Sequence, residues 1–110
     1  MATVYVPHNV RRLDRTAGRL MQALDLSKAK VFGQLKEVVD EFDDLLFMDK
    51  VIVQVKTVLA DFTPNDYLLA IGDPTVIALC AGEVFRKHGT VKMLKWDRRL
   101  KAYLELELKL

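Results

Sequence analysis

This sequence predicts a small single-domain α/β fold: a mainly parallel, Rossmann-like sheet, two flanking helices and a C-terminal antiparallel strand. Three observations carry that prediction. From residue 48 onward, apolar runs with helical and strand periods alternate. The connections between them are short, which implies right-handed crossovers in a parallel sheet. The last stretch, LKAYLELELKL, alternates strictly, as a half-buried strand does. The 110 residues suffice for one domain and one core.

TVYVP at residues 3–7 reads as a short strand stopped by Pro7, because proline cannot donate to a central ladder. Residues 8–27 are polar and arginine-rich, with Gly18 as the one obvious turn residue, and read as a long loop. Residues 28–42, KAKVFGQLKEVVDEF, fit two descriptions. Val31, Phe32, Leu35, Val38, Val39 and Phe42 recur at helical spacing, whereas Gly33 and the β-branched Val38–Val39 pair suit a strand. The next stretch, FMDKVIVQVKTVLADF, is an amphipathic helix with Met48, Ile52, Val55, Leu59 and Phe62 in one stripe, widened by Val51 and Val58. TPND then turns the chain.

YLLAI at residues 67–71 is a continuous apolar run, as in a strand buried on both faces. After it, Asp73 suits an N-cap and Pro74 a first helical position. Val76, Ile77, Cys80 and Val84 form the buried stripe; Arg86, Lys87 and His88 complement the dipole, and Gly89 ends the helix. TVKMLKW is a further strand and Asp97-Arg98-Arg99 a turn. In the final strand Leu104, Leu106, Leu108 and Leu110 are expected inside, with Tyr103, Glu105, Glu107 and Lys109 outside.

Composition excludes several classes. Hydrophobic residues are 51% and charged residues 29%, a globular balance. No apolar run reaches the ~20 residues of a membrane span, and residues 1–10 do not read as a signal peptide, so a soluble, intracellular chain is expected. Cys80 is the only cysteine, which excludes an intrachain disulfide and suits a buried structural thiol. The net charge of +2 is too small to argue for nucleic acid. Its distribution is uneven: Arg11, Arg12, Arg15 and Arg19 crowd one segment, Asp40, Glu41, Asp43, Asp44 and Asp49 another, and Lys92, Lys95, Arg98, Arg99 and Lys101 a third.

DYLLAIGDPTVI, paired with the downstream VKMLKWDRRLKAYLELEL, resembles short proteins encoded in tailed bacteriophage genomes. The resemblance covers Asp66 to Leu110 and, more loosely, DLSKAKVFG. It implies a phage context and the host cytoplasm, not a mechanism, and it tilts residues 28–42 toward a strand.

The Gly72-Asp73-Pro74-Thr75 turn is the natural place to look for a nucleotide site, with Gly72, Asp73 and Thr75 as its ligand-binding candidates. A phosphate there wants free N–H groups and several glycines. Pro74 removes one donor, and Asp73 puts a carboxylate where the phosphate would lie. Like charges ~4 Å apart repel by about 4 kcal/mol at an effective dielectric near 20. A helix dipole returns ~2 kcal/mol at best. A strand-to-helix cap is the expected role, with a ligand that donates to Asp73 as the alternative.

Catalytic sets are hard to assemble. Ser27 is the only serine; His8 and His88 are the only imidazoles and have no metal spacing. His88 suits a helix C-terminus, while His8, beside Pro7, is a candidate functional group. The acidic run from Asp40 to Asp49 reads as solvated rather than as a cation site. No acid–base pair stands out, which argues against an enzyme; neither a cofactor nor a metal is expected. Trp96 flanked by Lys95, Arg98 and Arg99 has the chemistry of an interface hot spot or of base stacking. The expected function is therefore a non-enzymatic phage interaction module that binds itself or a host or phage protein. Arg11, Arg12 and Arg15 would meet the acidic segment. A nucleotide site at the turn is the alternative, and single-stranded nucleic acid at Trp96 a lesser one.

Overall fold

The computed structural model describes residues 2–8, 11–14, 19–22, 26–40 and 46–110, the two short middle stretches as backbone only. Strand β1 (Thr3–His8) is followed by β2 (Arg11–Asp14), β3 (Arg19–Gln22), a 3-10 turn (Ser27–Val31) and β4 (Gln34–Val39). Helix α1 (Met48–Leu59), β5 (Tyr67–Leu69), α2 (Pro74–His88), β6 (Thr90–Asp97) and β7 (Ala102–Lys109) complete the order. The main sheet runs β4-β1-β5-β6-β7. Its first four strands are parallel, and β7 joins β6 antiparallel. The expected small α/β domain with a mostly parallel sheet and an antiparallel C-terminal strand is what the chain forms.

Crossover direction explains where the covering layers lie. From β4 to β5 and from β5 to β6 the chain moves the same way across the sheet, so connections of one hand put both helices on one face. There Val51, Val55 and Leu59 of α1 and Val76, Cys80 and Val84 of α2 meet Tyr5, Leu68, Val91 and Met93 of the sheet. From β1 to β4 the chain moves the other way. Its 3-10 turn accordingly packs on the opposite face, where Leu26 and Ala29 join Val4, Val6, Leu69, Ile71 and Leu94. Leu68 and Leu69 point to opposite cores, as a strand covered on both faces requires.

Three expectations need correction, and one open choice is settled. Pro7 does not stop the first strand: it is buried within β1, which continues to His8. It sits past the pairing with β5, which involves Val4 and Tyr5, so its missing N–H interrupts no ladder on that side. Residues 8–27 are not a plain loop, because β2 and β3 pair as an antiparallel hairpin. The 28–42 stretch, left open between helix and strand and tilted toward a strand by the resemblance, is over its described residues a 3-10 turn followed by a strand. Gly33 decides this: a Cβ there would lie 2.2 Å from the Ala2 carbonyl oxygen, so the chain passes too close to β1 for a helical turn's side chains. Finally, the leucine face of β7 is not buried along its length: Leu104 and Tyr103 are both half-buried, and Glu105, Glu107 and Lys109 are exposed as expected. Tyr103 packs against the core beside the 3-10 turn, while Leu106 and Leu108 remain 37% and 40% exposed.

Helix α2 begins and ends as its sequence predicts. The Asp73 carboxylate accepts the Thr75 amide at 2.8 Å, Pro74 opens the helix, and Gly89 closes it at φ 70°. His88 Nε2 lies 3.1 Å from the Phe62 carbonyl oxygen, tying the helix end to the chain after α1.

Candidate functional site

In a sheet of this order the chain leaves β1 in one direction and returns on its other side at β5. The carboxyl ends of β1 and β5 therefore part, opening the crevice in which such sheets place ligands. His8 ends β1, and Gly72-Asp73 follows β5. They meet there: the Asp73 amide donates to His8 Nδ1 at 3.2 Å. That bond requires a lone pair on Nδ1, so the neutral ring carries its proton on Nε2. His8 is 8% exposed, and among the described residues nothing pairs with that Nε2. Gly72 has φ 114°, and a Cβ on it would lie 2.3 Å from the His8 carbonyl oxygen, so only glycine lets the two strand ends approach.

One strand further along the same edge lies a groove of about 820 Å³. Its described lining is Ala70 and Ile71 after β5, Lys95 and Trp96 at the end of β6, Arg98, Lys101 and Tyr103 of the following hairpin, and Lys28 of the 3-10 turn. Trp96 and Tyr103 stand edge to face, with centroids 5.0 Å apart, and Trp96 is 39% exposed. Lys28 Nζ donates to the Lys101 carbonyl at 2.8 Å and lies 5.5 Å from the centre of the Trp96 ring. The Asp97 carboxylate accepts the Arg99 and Leu100 amides and so forms the turn that carries Arg98. Glu105 is held by the Tyr67 hydroxyl at 3.0 Å. Burial and then that hydrogen bond raise the Tyr67 phenol above its ordinary pKa.

The structure thus brings Lys95, Trp96 and Arg98 into one groove and leaves Arg99 outside its described lining. Gly72, Asp73 and Thr75 form the turn and cap beside it. Lys28 and Tyr103 were not legible as site residues: Lys28 is 73 positions from Lys101, and the alternation of the last strand points Tyr103 outward. Lys101 belongs to the basic run in sequence, but its role depends on the left-handed backbone it adopts at the hairpin, φ 50°. The pairing expected of Arg11, Arg12 and Arg15 with Asp43 and Asp44 lies outside the described residues or side chains.

A second hollow, of about 570 Å³ and lined by Thr3, Tyr5, Gln34, Asp61, Thr63 and Asp66 among others, opens at the opposite edge. Its buried carboxylate is already engaged. Asp66 accepts the Thr3 amide (2.8 Å), the Thr63 amide (2.8 Å) and the Thr63 hydroxyl (3.1 Å). This hollow is a structural latch.

Fold and groove together define a small α/β protein with a cationic, aromatic surface at the carboxyl edge of its parallel strands. A family model for the Phage Pam3 gp32-like protein matches residues 2–110, and the chain belongs to that family. It is therefore a phage-encoded protein. No curated protein sequence and no solved structure matches the chain. Among the described residues, no helix is long and apolar enough to cross a membrane.

Proposed function

We propose that this phage protein is a non-enzymatic binding module of the host cytoplasm whose groove takes a nucleotide unit, free or within a single strand. One observation carries the reading. Lys28, Lys95, Arg98 and Lys101 surround Trp96 and Tyr103, with no carboxylate among the described lining residues. Phosphates need cations and bases need an open ring face; together they are the chemistry of single-strand binding. The net charge of +2 weighs against nucleic acid only while charge is counted over the whole chain. Folding concentrates four of the 17 basic residues at one groove, and local field is what a bound phosphate feels. Position supports the reading in part: counted along the main sheet alone, the order is 2-1-3-4-5. Sheets of that order take ligands outside the carboxyl ends at the switch point, and the groove lies one strand along from that point on the same edge.

Trp96 is the only tryptophan, so tryptophan fluorescence, excited selectively over the tyrosines, reports on this groove alone. Titration with an oligothymidylate, and separately with mononucleotides, should quench it. Affinity should fall with salt, with a slope set by the phosphates neutralised, and Trp96→Ala should weaken single-strand binding by about 1–3 kcal/mol. No quenching and no binding at low salt would remove the reading and leave a host or phage protein as the partner.

A second reading rests on a separate observation, the buried Nε2–H of His8 at the β1–β5 crevice. That donor and the neighbouring Asp73 carboxylate suit a small ligand with hydroxyl groups, such as a ribose. A nucleotide that raises the melting temperature of the wild type, but not of His8→Ala, would support it. A panel giving no shift would not.

A further inference from the structure

We infer that β7 is a self-pairing edge: two copies of this chain join their β7 strands antiparallel about a two-fold axis at Glu107, making one continuous sheet. The inference is independent of the groove. β7 is eight residues long and ends the main sheet, and among the described residues no strand pairs with its outer edge. Its register with β6 runs from Thr90↔Lys109 to Asp97↔Ala102 without a bulge. It contains no proline. Soluble proteins block such an edge with a bulge, a proline, a short strand or charged side chains; β7 has only the last, in Glu105, Glu107 and Lys109, and these charges can pair across a two-fold. Helix α2 packs over β6 and β1, leaving Leu106, Leu108 and Leu110 37%, 40% and 98% exposed on that face.

Backbone direction selects which groups face outward. The Leu108 carbonyl is turned toward β6, where it accepts Thr90 Oγ1 at 3.0 Å. N–H and C=O of one residue point the same way in an antiparallel strand, and successive residues alternate. The outward groups are therefore those of Tyr103, Glu105, Glu107 and Lys109. Charge then selects the register. Centred on Glu107, the pairing puts Glu105 of each copy opposite Lys109 of the other, giving two opposite-charge pairs. The single Glu107–Glu107 contact is eased by Lys92, which lies opposite Glu107 on β6. On the other face Leu106 meets Leu108 and Leu104 meets Leu110, covering the exposed row. Shifting the axis to Leu106 would instead set Glu105 against Glu107 twice, which is unfavourable.

Analytical ultracentrifugation of the full chain over micromolar concentrations tests this, with circular dichroism as the check that each variant is folded. The wild type should shift from monomer to dimer as concentration rises. Glu107→Pro removes an outward N–H and spares the β6 ladder; it should be monomeric. Glu105→Lys alone and Lys109→Glu alone should each weaken the dimer by about tenfold or more, since each replaces two attractive pairs by two repulsive ones. An equimolar mixture of these two variants restores both opposite-charge pairs across one two-fold and should dimerise again. A wild type that stays monomeric throughout overturns the inference. So does a dimer that survives Glu107→Pro, or a mixture that fails to recover.

Discussion

The Asp73 amide and His8 Nδ1, 3.2 Å apart, join the end of β1 to the start of α2 across 65 positions of sequence. The contact exists because Gly72 lets the chain pass against the His8 backbone at φ 114°. An alanine at position 72 would collide with the His8 carbonyl and Cβ and would sit in a backbone region closed to L side chains. Gly72→Ala should therefore destabilise the fold by about 2–4 kcal/mol, measured by urea unfolding. Gly82→Ala serves as the control, since a Cβ there meets nothing within 4 Å; removing a mid-helix glycine should leave stability unchanged or raise it by about 0.5–1 kcal/mol.

Asp66 holds the other edge of the sheet. Its two oxygens accept three hydrogen bonds, one from the Thr3 amide of β1 and two from Thr63. Asp66→Ala strands these donors in a buried site and should cost about 2–4 kcal/mol. Asp66→Asn keeps the shape but loses an acceptor and the charge, so it should fall between wild type and alanine. Equal stability of all three proteins would refute the latch.

Glu83 gives the fold a predictable acid response. The Arg86 guanidinium grips it with two hydrogen bonds, of 2.6 and 3.2 Å, and holds its carboxyl below the ordinary 4.5. The folded state then binds fewer protons than the unfolded state between the two values. The pair's contribution is full above the unfolded pKa and is lost as pH falls through the depressed folded one. Glu83→Gln should thus lower the melting temperature at pH 7, and its gap from wild type should close as the pH is taken below 4.5. A gap that stays constant down to strongly acid pH would contradict this origin.

Cys80 is fully buried in α2, and burial pushes its thiol up to about 12. A thiolate must attack the disulfide of Ellman's reagent, displacing its thionitrobenzoate, so the native protein should react at pH 8 only as fast as it opens. In denaturant the same thiol should react at once. Rapid labelling of the native state would place Cys80 nearer the surface. Cys80→Ser should destabilise more than Cys80→Ala, because the hydroxyl would be buried among apolar neighbours.

Local chemistry was enough for much of the fold. Asp73, Pro74 and Gly89 mark the ends of α2 with three residues whose backbone preferences need no partner, and Val51, Val55 and Leu59 declare the buried stripe of α1 by spacing alone. The apolar run at residues 67–71 announced a strand covered on both faces, and Leu68 and Leu69 are both fully buried. Cys80 lay on an apolar stripe and is buried there. The expected phage affiliation agrees with the family match, which runs over residues 2–110.

Tertiary structure decided the rest, wherever two segments distant in sequence had to meet. Residues 34–39 carry helical spacing, yet they are a strand because β1 pairs along them and Gly33 sits against Ala2. Pro7 stays inside β1 because β5 is too short to need its missing donor. Tyr103 turns inward because the 3-10 turn, 72 positions or more upstream, covers that face of β7 and not the leucine face. The groove has the same origin. Lys95, Trp96 and Arg98 were adjacent in sequence, but Lys28 reaches them only once the β1–β4 connection crosses the opposite face from the helices. Period and turn residues encode which element forms; the direction of each crossover, a property of the assembled sheet, encodes which elements come to share an edge.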